Sequence, residues 1–121
     1  MQTIIEHRED AIDYASELSV QLKKGMLTRC VLLVTETPRY TSEILQELNS
    51  VELDIVEGTV YPLLSRLSRD GLLKHEWQES PAGPPRKYYQ ITDYGREVRE
   101  HLAQSITKLN GAITKLEKGS K

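Results

Sequence analysis

Apolar positions recur along this chain with different periods, and each change of period marks a change of element. Ile5, Ile12, Ala15, Leu18 and Leu22 fall on one stripe at helical spacing, opposite Glu6, Glu9, Asp10, Asp13 and Glu17. Residues 4–22 are therefore predicted to form an amphipathic helix. Lys23-Lys24-Gly25 follows, and Gly25 offers a break between helices. Met26, Leu27, Cys30, Val31, Leu33 and Val34 make a second helix over about 26–36. It is apolar on most sides and is expected at the centre of the core. Thr37-Pro38-Arg39-Tyr40 reads as a turn, because Pro38 ends helix continuity. Thr41 or Ser42 is expected to cap a short third helix whose buried side is Ile44, Leu45 and Leu48. A connector follows, with Val51, Leu53 and Ile55 alternating.

The fourth helix is predicted over 57–70, with Val60, Leu63, Leu64 and Leu67 facing the core and Gly71 as its stop. Pro62 is tolerable there. Its ring presses on the carbonyl of Gly58, in the first turn, where glycine's lack of a side chain eases the local fit. Leu73, His75 and Trp77 then alternate with Lys74, Glu76 and Gln78 at the period of a strand. Trp77 is expected to pack within the hairpin. Ser80-Pro81-Ala82-Gly83-Pro84-Pro85 reads as a loop that extends neither strand. Arg86 to Thr92 is the return strand, with one of Tyr88 and Tyr89 in the core. A last helix starts at Thr92 or Asp93 and runs to about Glu117. Val98, Leu102, Ile106, Leu109, Ile113 and Leu116 step along it by 4, 4, 3, 4 and 3, a coiled-coil-like seam. So long a seam exceeds what a small core covers. It is expected to meet a second subunit, together with Ile5, Ile12 and Leu18 of the first helix.

Composition narrows the function. The chain has 121 residues, room for one domain with a modest core. Its single cysteine, Cys30, excludes an internal disulfide framework, so a reducing, cytoplasmic setting is the default. Cys30 itself reads as an inert core thiol. No apolar run approaches the ~20 residues of a spanning helix, and no membrane partner is expected. His7, His75 and His101 are far apart and lack ligand spacing, so no metal and no cofactor is expected. No phosphate loop or nucleophile elbow points to an enzyme. The net charge of −2 argues against coating nucleic acid by bulk charge. Divided along the chain it reads differently: residues 1–22 sum to −4 and 41–57 to −5, whereas 58–75 and 80–92 each sum to +2.

The order of elements is that of a winged helix: mainly α with a small β-hairpin. A winged helix-turn-helix is expected over 23–92, preceded by the 1–22 helix and followed by a dimerisation helix over 93–121. The fourth helix becomes the recognition helix and the hairpin loop the wing. The outward residues of the helix, Thr59, Tyr61, Ser65, Arg66 and Arg69, are hydroxyls and cations suited to phosphates and base edges. Gly58 belongs to the same surface. Tyr40, Thr41 and Ser42 are expected at the backbone, and the wing to reach DNA through Gly83, Arg86 and Lys87. A competing reading is a winged helix that binds an acidic protein partner.

Two blocks then resemble one family. Glu57-Gly58-Thr59-Val60-Tyr61-Pro62-Leu63-Leu64-Ser65-Arg66-Leu67, ending Asp70-Gly71-Leu72-Leu73, is similar to the PadR family of bacterial transcriptional regulators. Gly83-Pro84-Pro85-Arg86-Lys87-Tyr88-Tyr89-Gln90-Ile91-Thr92, then Gly95, is the second block. The likeness covers about residues 23–118, and the length resembles the short, single-domain subfamily. It implies a homodimer that binds a pseudo-palindromic operator in double-stranded DNA, usually as a repressor. It also implies release by a small aromatic effector in some members. Where drug-binding relatives carry a Trp on the last helix, this chain has Ile106. Where many have a Tyr-Gly-Tyr-Glu-like start to the helix before the turn, it has Arg39-Tyr40-Thr41-Ser42-Glu43.

Overall fold

The computed structural model describes residues 8–119, with side chains from Asp10 onward. Ile5 and His7 lie outside this range. Its elements are α1 (Arg8–Val34), β1 (Arg39–Tyr40), α2 (Thr41–Ser50), α3 (Glu57–Arg69), β2 (Leu73–Ser80), β3 (Gly83–Ile91) and α4 (Asp93–Gly119). The three strands form one antiparallel sheet in the order β1-β3-β2.

The expected break at Gly25 does not occur: α1 runs unbroken for 27 residues. A mid-helix glycine costs about 1 kcal/mol relative to alanine. The good helix formers on either side and the burial of Leu27, Val31 and Leu32 one turn on outweigh that. One continuous helix therefore carries the chain from Arg8 into the winged-helix segment.

The core lies where the C-terminal half of α1 meets α2, α3 and the base of the hairpin. Val31, Leu32, Ile44, Leu48, Val60, Leu64, Leu67, Leu73, Tyr89 and Ile91 are all buried there. Cys30 packs half-buried against it. α2 is capped one residue earlier than expected. Tyr40, not Thr41 or Ser42, is its N-cap, and the Tyr40 N–H donates to Glu43 Oε1 at 3.2 Å. Arg39 and Tyr40, expected within a turn, form the edge strand β1 instead, opposite Tyr89 and Tyr88.

The α2–α3 connector is held by one side chain. Asn49 Nδ2 donates to the Ile55 carbonyl at 2.9 Å, and the Ile55 N–H donates to Asn49 Oδ1 at 2.7 Å. Between them Glu52 and Asp54 adopt φ of 64° and 55°, a conformation costly for residues with a side chain. Asn49→Ala removes both hydrogen bonds and releases the strained turn. The expected loss is about 1–2 kcal/mol, measured by chemical denaturation.

α3 ends as its sequence predicts. The Leu72 N–H donates to Leu67 O at 2.9 Å and the Gly71 N–H to Ser68 O at 3.2 Å, with Gly71 at φ 86°. This is the Schellman closure that favours glycine. Leu72 and Leu67 are both buried beside it. Pro62 sits inside an intact helix, as its placement opposite Gly58 allows.

The hairpin is longer than expected. β2 extends to Ser80 and β3 begins at Gly83, which leaves only Pro81 and Ala82 as the turn. Pro84 and Pro85 lie within β3 at a bulge: Gln78 pairs with Arg86 and Ser80 with Gly83, so β3 carries one extra residue there. β1 reaches only Tyr88 and Tyr89, so the prolines occupy a stretch with a free edge, where a missing N–H is tolerated.

α4 is tied to both ends of the core. The Thr92 hydroxyl donates to Gly71 O at 2.7 Å, and the Gly95 N–H donates to Thr92 Oγ1 at 2.9 Å. Arg99 donates to Glu36 Oε2 at 2.6 Å and to Leu32 O at 3.3 Å, while Arg96 bridges Glu36 and Asp93. Hydrogen bonds from Arg99, then Arg96, hold the Glu36 carboxyl below its ordinary value. Val98, expected on the dimer seam, packs against the protomer's own core, because the first turns of α4 lie over it.

Candidate nucleic-acid interface

The exposed side of α3 follows from its buried side. With Val60, Leu63, Leu64 and Leu67 inside, 100° per residue leaves Gly58, Thr59, Tyr61, Pro62, Ser65, Arg66 and Arg69 on the outside, and all are exposed. These residues face two different grooves. Tyr61 and Ser65 line an open groove of about 600 Å³ toward the wing, whose other walls include Tyr40, Thr41, Ser42, Glu57, Trp77, Arg86, Lys87 and Tyr89. Thr59, Arg66 and Arg69 line a second groove of about 340 Å³ on the α1 side, with Lys24, Leu27, Pro62 and Leu63. The predicted contacts thus form one surface with two flanks. Gly83 stands beyond both, exposed at the tip of the hairpin.

The wing cations are held in place by rings. The Arg86 guanidinium lies 4.4 Å from the Tyr40 ring centroid, and Tyr40 meets Tyr88 edge-on at 5.3 Å. The Lys87 ammonium lies 5.8 Å from Trp77 and 5.5 Å from Tyr89. Such contacts are weak at exposed sites, about 0.5–1 kcal/mol, and leave the charge available to an anion. Burial, then the nearby Tyr61 phenol, pushes the Tyr89 hydroxyl above its ordinary value, so it stays a neutral donor.

Sequence reasoning passes over two residues of this surface. Lys24, on α1, joins the flank of Arg66 and Arg69 because the helix runs unbroken past Gly25. Trp77, expected to pack within the hairpin, is instead 63% exposed and lines the wing groove. Neither placement carries a local signal. Each depends on where another element stops.

Elsewhere, the protomer leaves apolar side chains uncovered. Ile12, Leu18 and Leu22 of α1 and Leu109, Ile113 and Leu116 of α4 are more than half exposed, and Leu102 and Ile106 are half-buried beside α1. Among the described residues, no group of three or more His, Cys, Asp or Glu side chains is arranged to hold a metal ion. No described helix is long and apolar enough to cross a membrane.

A helix-turn-helix of α2 and α3, packed on α1 and followed at once by a β-hairpin that borders the exposed face of α3, defines the winged-helix class. Within that class the chain belongs to the Transcriptional regulator PadR-like family, whose model matches residues 31–101. It is a DNA-binding transcriptional regulator and not an enzyme. The fold is similar to a PadR-like transcription factor from Bacteroides fragilis, 44% identical, covering 83% of this chain and 98% of that one, with a TM-score of 0.72. A PadR family transcriptional regulator from Eggerthella lenta is 30% identical, covers 93% and 99%, and gives a TM-score of 0.83. An uncharacterised protein of Lysinibacillus sphaericus is 29% identical over 94 residues, 74% of this chain and 86% of that protein.

Proposed function

We propose that this protein is a cytoplasmic, homodimeric repressor that binds a pseudo-palindromic operator, with α3 in the major groove and the wing beside it. The observation that carries the reading is the wing groove. It brings Tyr40, Thr41, Ser42, Tyr61, Ser65, Arg86 and Lys87, from three separate stretches of the chain, around one open groove. Hydroxyls there suit phosphate oxygens and base edges, and the two wing cations suit phosphates. Gly58, Thr59, Arg66 and Arg69 serve the opposite strand. The apolar faces of α1 and α4 supply the second half of the reading. Uncovered side chains in such number mark an interface, and a second copy covers them with its own. In this division residues 23–92 read DNA, while 93–121 and the N-terminal part of α1 dimerise. Two-fold symmetry then sets half-sites about one helical turn, ~10 base pairs, apart. A small aromatic effector would have the apolar groove of about 300 Å³ between Leu22, Met26, Ile106 and Leu109.

The test is a double substitution, Arg86→Ala with Lys87→Ala, measured against a selected operator duplex over a range of salt. Affinity falls for all sequences, and the slope of log affinity on log salt flattens by about one for each phosphate that the wing no longer neutralises. Unchanged affinity and slope would remove the wing from the interface.

A further inference from the structure

Trp77 is an exposed aromatic at the outer edge of the fold, with the Lys87 ammonium 5.8 Å from its ring. Strand register explains how it comes to be there. Leu73 pairs with Ile91, His75 with Tyr89 and Trp77 with Lys87, so these three pairs share one face of the hairpin. Leu73, Ile91 and Tyr89 are buried, and the core ends with them. One pair further out, that face is clear of the core, and the indole emerges 63% exposed on the wall of the wing groove. Across the groove stand Tyr61, itself half exposed, and Ser65 of α3. A strand position so far from the core is normally polar, as Glu76, Gln78 and Glu79 beside it are.

We infer that Trp77 is a DNA contact, with its indole lying against the sugar–phosphate wall that runs between α3 and the wing. This rests on the operator-binding reading and adds a residue of different chemistry to it. The ring face is apolar and suits deoxyribose carbons or a thymine methyl, and the ring N–H is a donor suited to a phosphate oxygen. The neighbouring cations, Arg86 and Lys87, draw a polyanion to this wall. Trp77 is uncharged, so its contribution differs in kind from theirs. It releases no counterion and therefore adds affinity without steepening the salt dependence. It acts as an anchor between the wing and the recognition helix.

The chain contains a single Trp, so intrinsic emission reports this site and no other. The full-length protein is titrated with a fluorescein-labelled duplex selected against it in vitro, with anisotropy and tryptophan emission followed in parallel. The expected result is an emission change that saturates with the anisotropy, together with loss of iodide quenching. Trp77→Ala should weaken binding roughly fivefold to thirtyfold, the range for truncating an interface anchor, with the salt slope unchanged. Trp77→Phe, which keeps an apolar ring and loses the N–H, should fall between the two. An unaltered thermal melt for both variants excludes a folding defect. If anisotropy reports binding while emission and quenching stay constant, and Trp77→Ala binds like the parent, the inference is overturned and operator binding stands. If no selected duplex raises the anisotropy, operator binding fails and the Trp77 contact falls with it.

Discussion

Gly95→Ala lowers the melting temperature by roughly 10–20 °C. A Cβ at this position would stand 2.2 Å from the Leu72 carbonyl oxygen and 2.7 Å from Ile91 Cγ1. Neither can move cheaply. Leu72 O accepts the Thr92 N–H at 3.0 Å, in the junction that ties the end of β3 to the start of α4. Ile91 is fully in the core. To make room, the first turn of α4 must lift off this junction. Overpacking of a tight site costs about 3 kcal/mol or more when the obstacle is backbone, against a total stability of about 5–15 kcal/mol. For a domain of this size each kilocalorie shifts the melting point by several degrees. Gly111→Ala supplies the control of opposite sign. Nothing lies within 4 Å of its Cβ position in the middle of α4, so alanine there stabilises by about 0.5–1 kcal/mol. Calorimetry on the two variants measures both effects. If Gly95→Ala melts within a few degrees of the parent, α4 is not pinned at Leu72.

Leu109→Glu combined with Ile113→Glu converts the protein to a monomer and weakens operator binding about 100-fold or more. These two side chains are 64% and 51% exposed in the protomer, so their replacement costs the fold little. In the proposed dimer both sit in the apolar seam, where four carboxylates would face one another. Leu102 and Ile106 are poorer choices, because they are already half-buried beside α1. Loss of the dimer separates the two reading heads, and with them the high effective concentration of the second half-site, worth about 10²–10⁴. Sedimentation measures the first effect and operator titration the second. A variant that still sediments as a dimer would place the interface elsewhere.

Much of the fold is legible in the sequence, because its strongest signals are local. Val60, Leu63, Leu64 and Leu67 set the inward face of α3, and Gly71 its end, without reference to the rest of the chain. The same holds for α4 and for the hairpin's alternation at Leu73 and Ile91. The features that differ are those decided by neighbours. Gly25 reads as a break until the burial of Leu27 and Val31 is counted against its cost. Pro84 and Pro85 read as loop, although their strand has a bulge on one side and no partner on the other. Thr41 reads as a cap, but β1 extends the backbone as far as Tyr40 and the helix begins one residue sooner. The candidate site is proposed from the sequence as a set of residues, and the sequence says less of how they share a surface. Helical angles alone separate Tyr61 and Ser65 from Thr59 and Arg66 on α3. That Tyr40 and Arg86 stand 4.4 Å apart requires the sheet. Trp77 is hidden for the same reason, since alternation along a strand does not reveal where the core underneath it stops.

The paired prolines of the wing have a consequence for how the free protein keeps to itself. A projecting hairpin whose margins pair with no further strand, β2 on one side and β3 from Gly83 to Lys87 on the other, is a template onto which another extended chain can zip, the first step toward fibrous association. Zipping needs a row of N–H donors at regular intervals. Residues 84 and 85 supply none, and the extra residue opposite Glu79 throws the remaining groups out of register. In the proposed complex the wing must stay bare for the duplex, and its β3 margin is thereby kept from recruiting strands when no duplex is present.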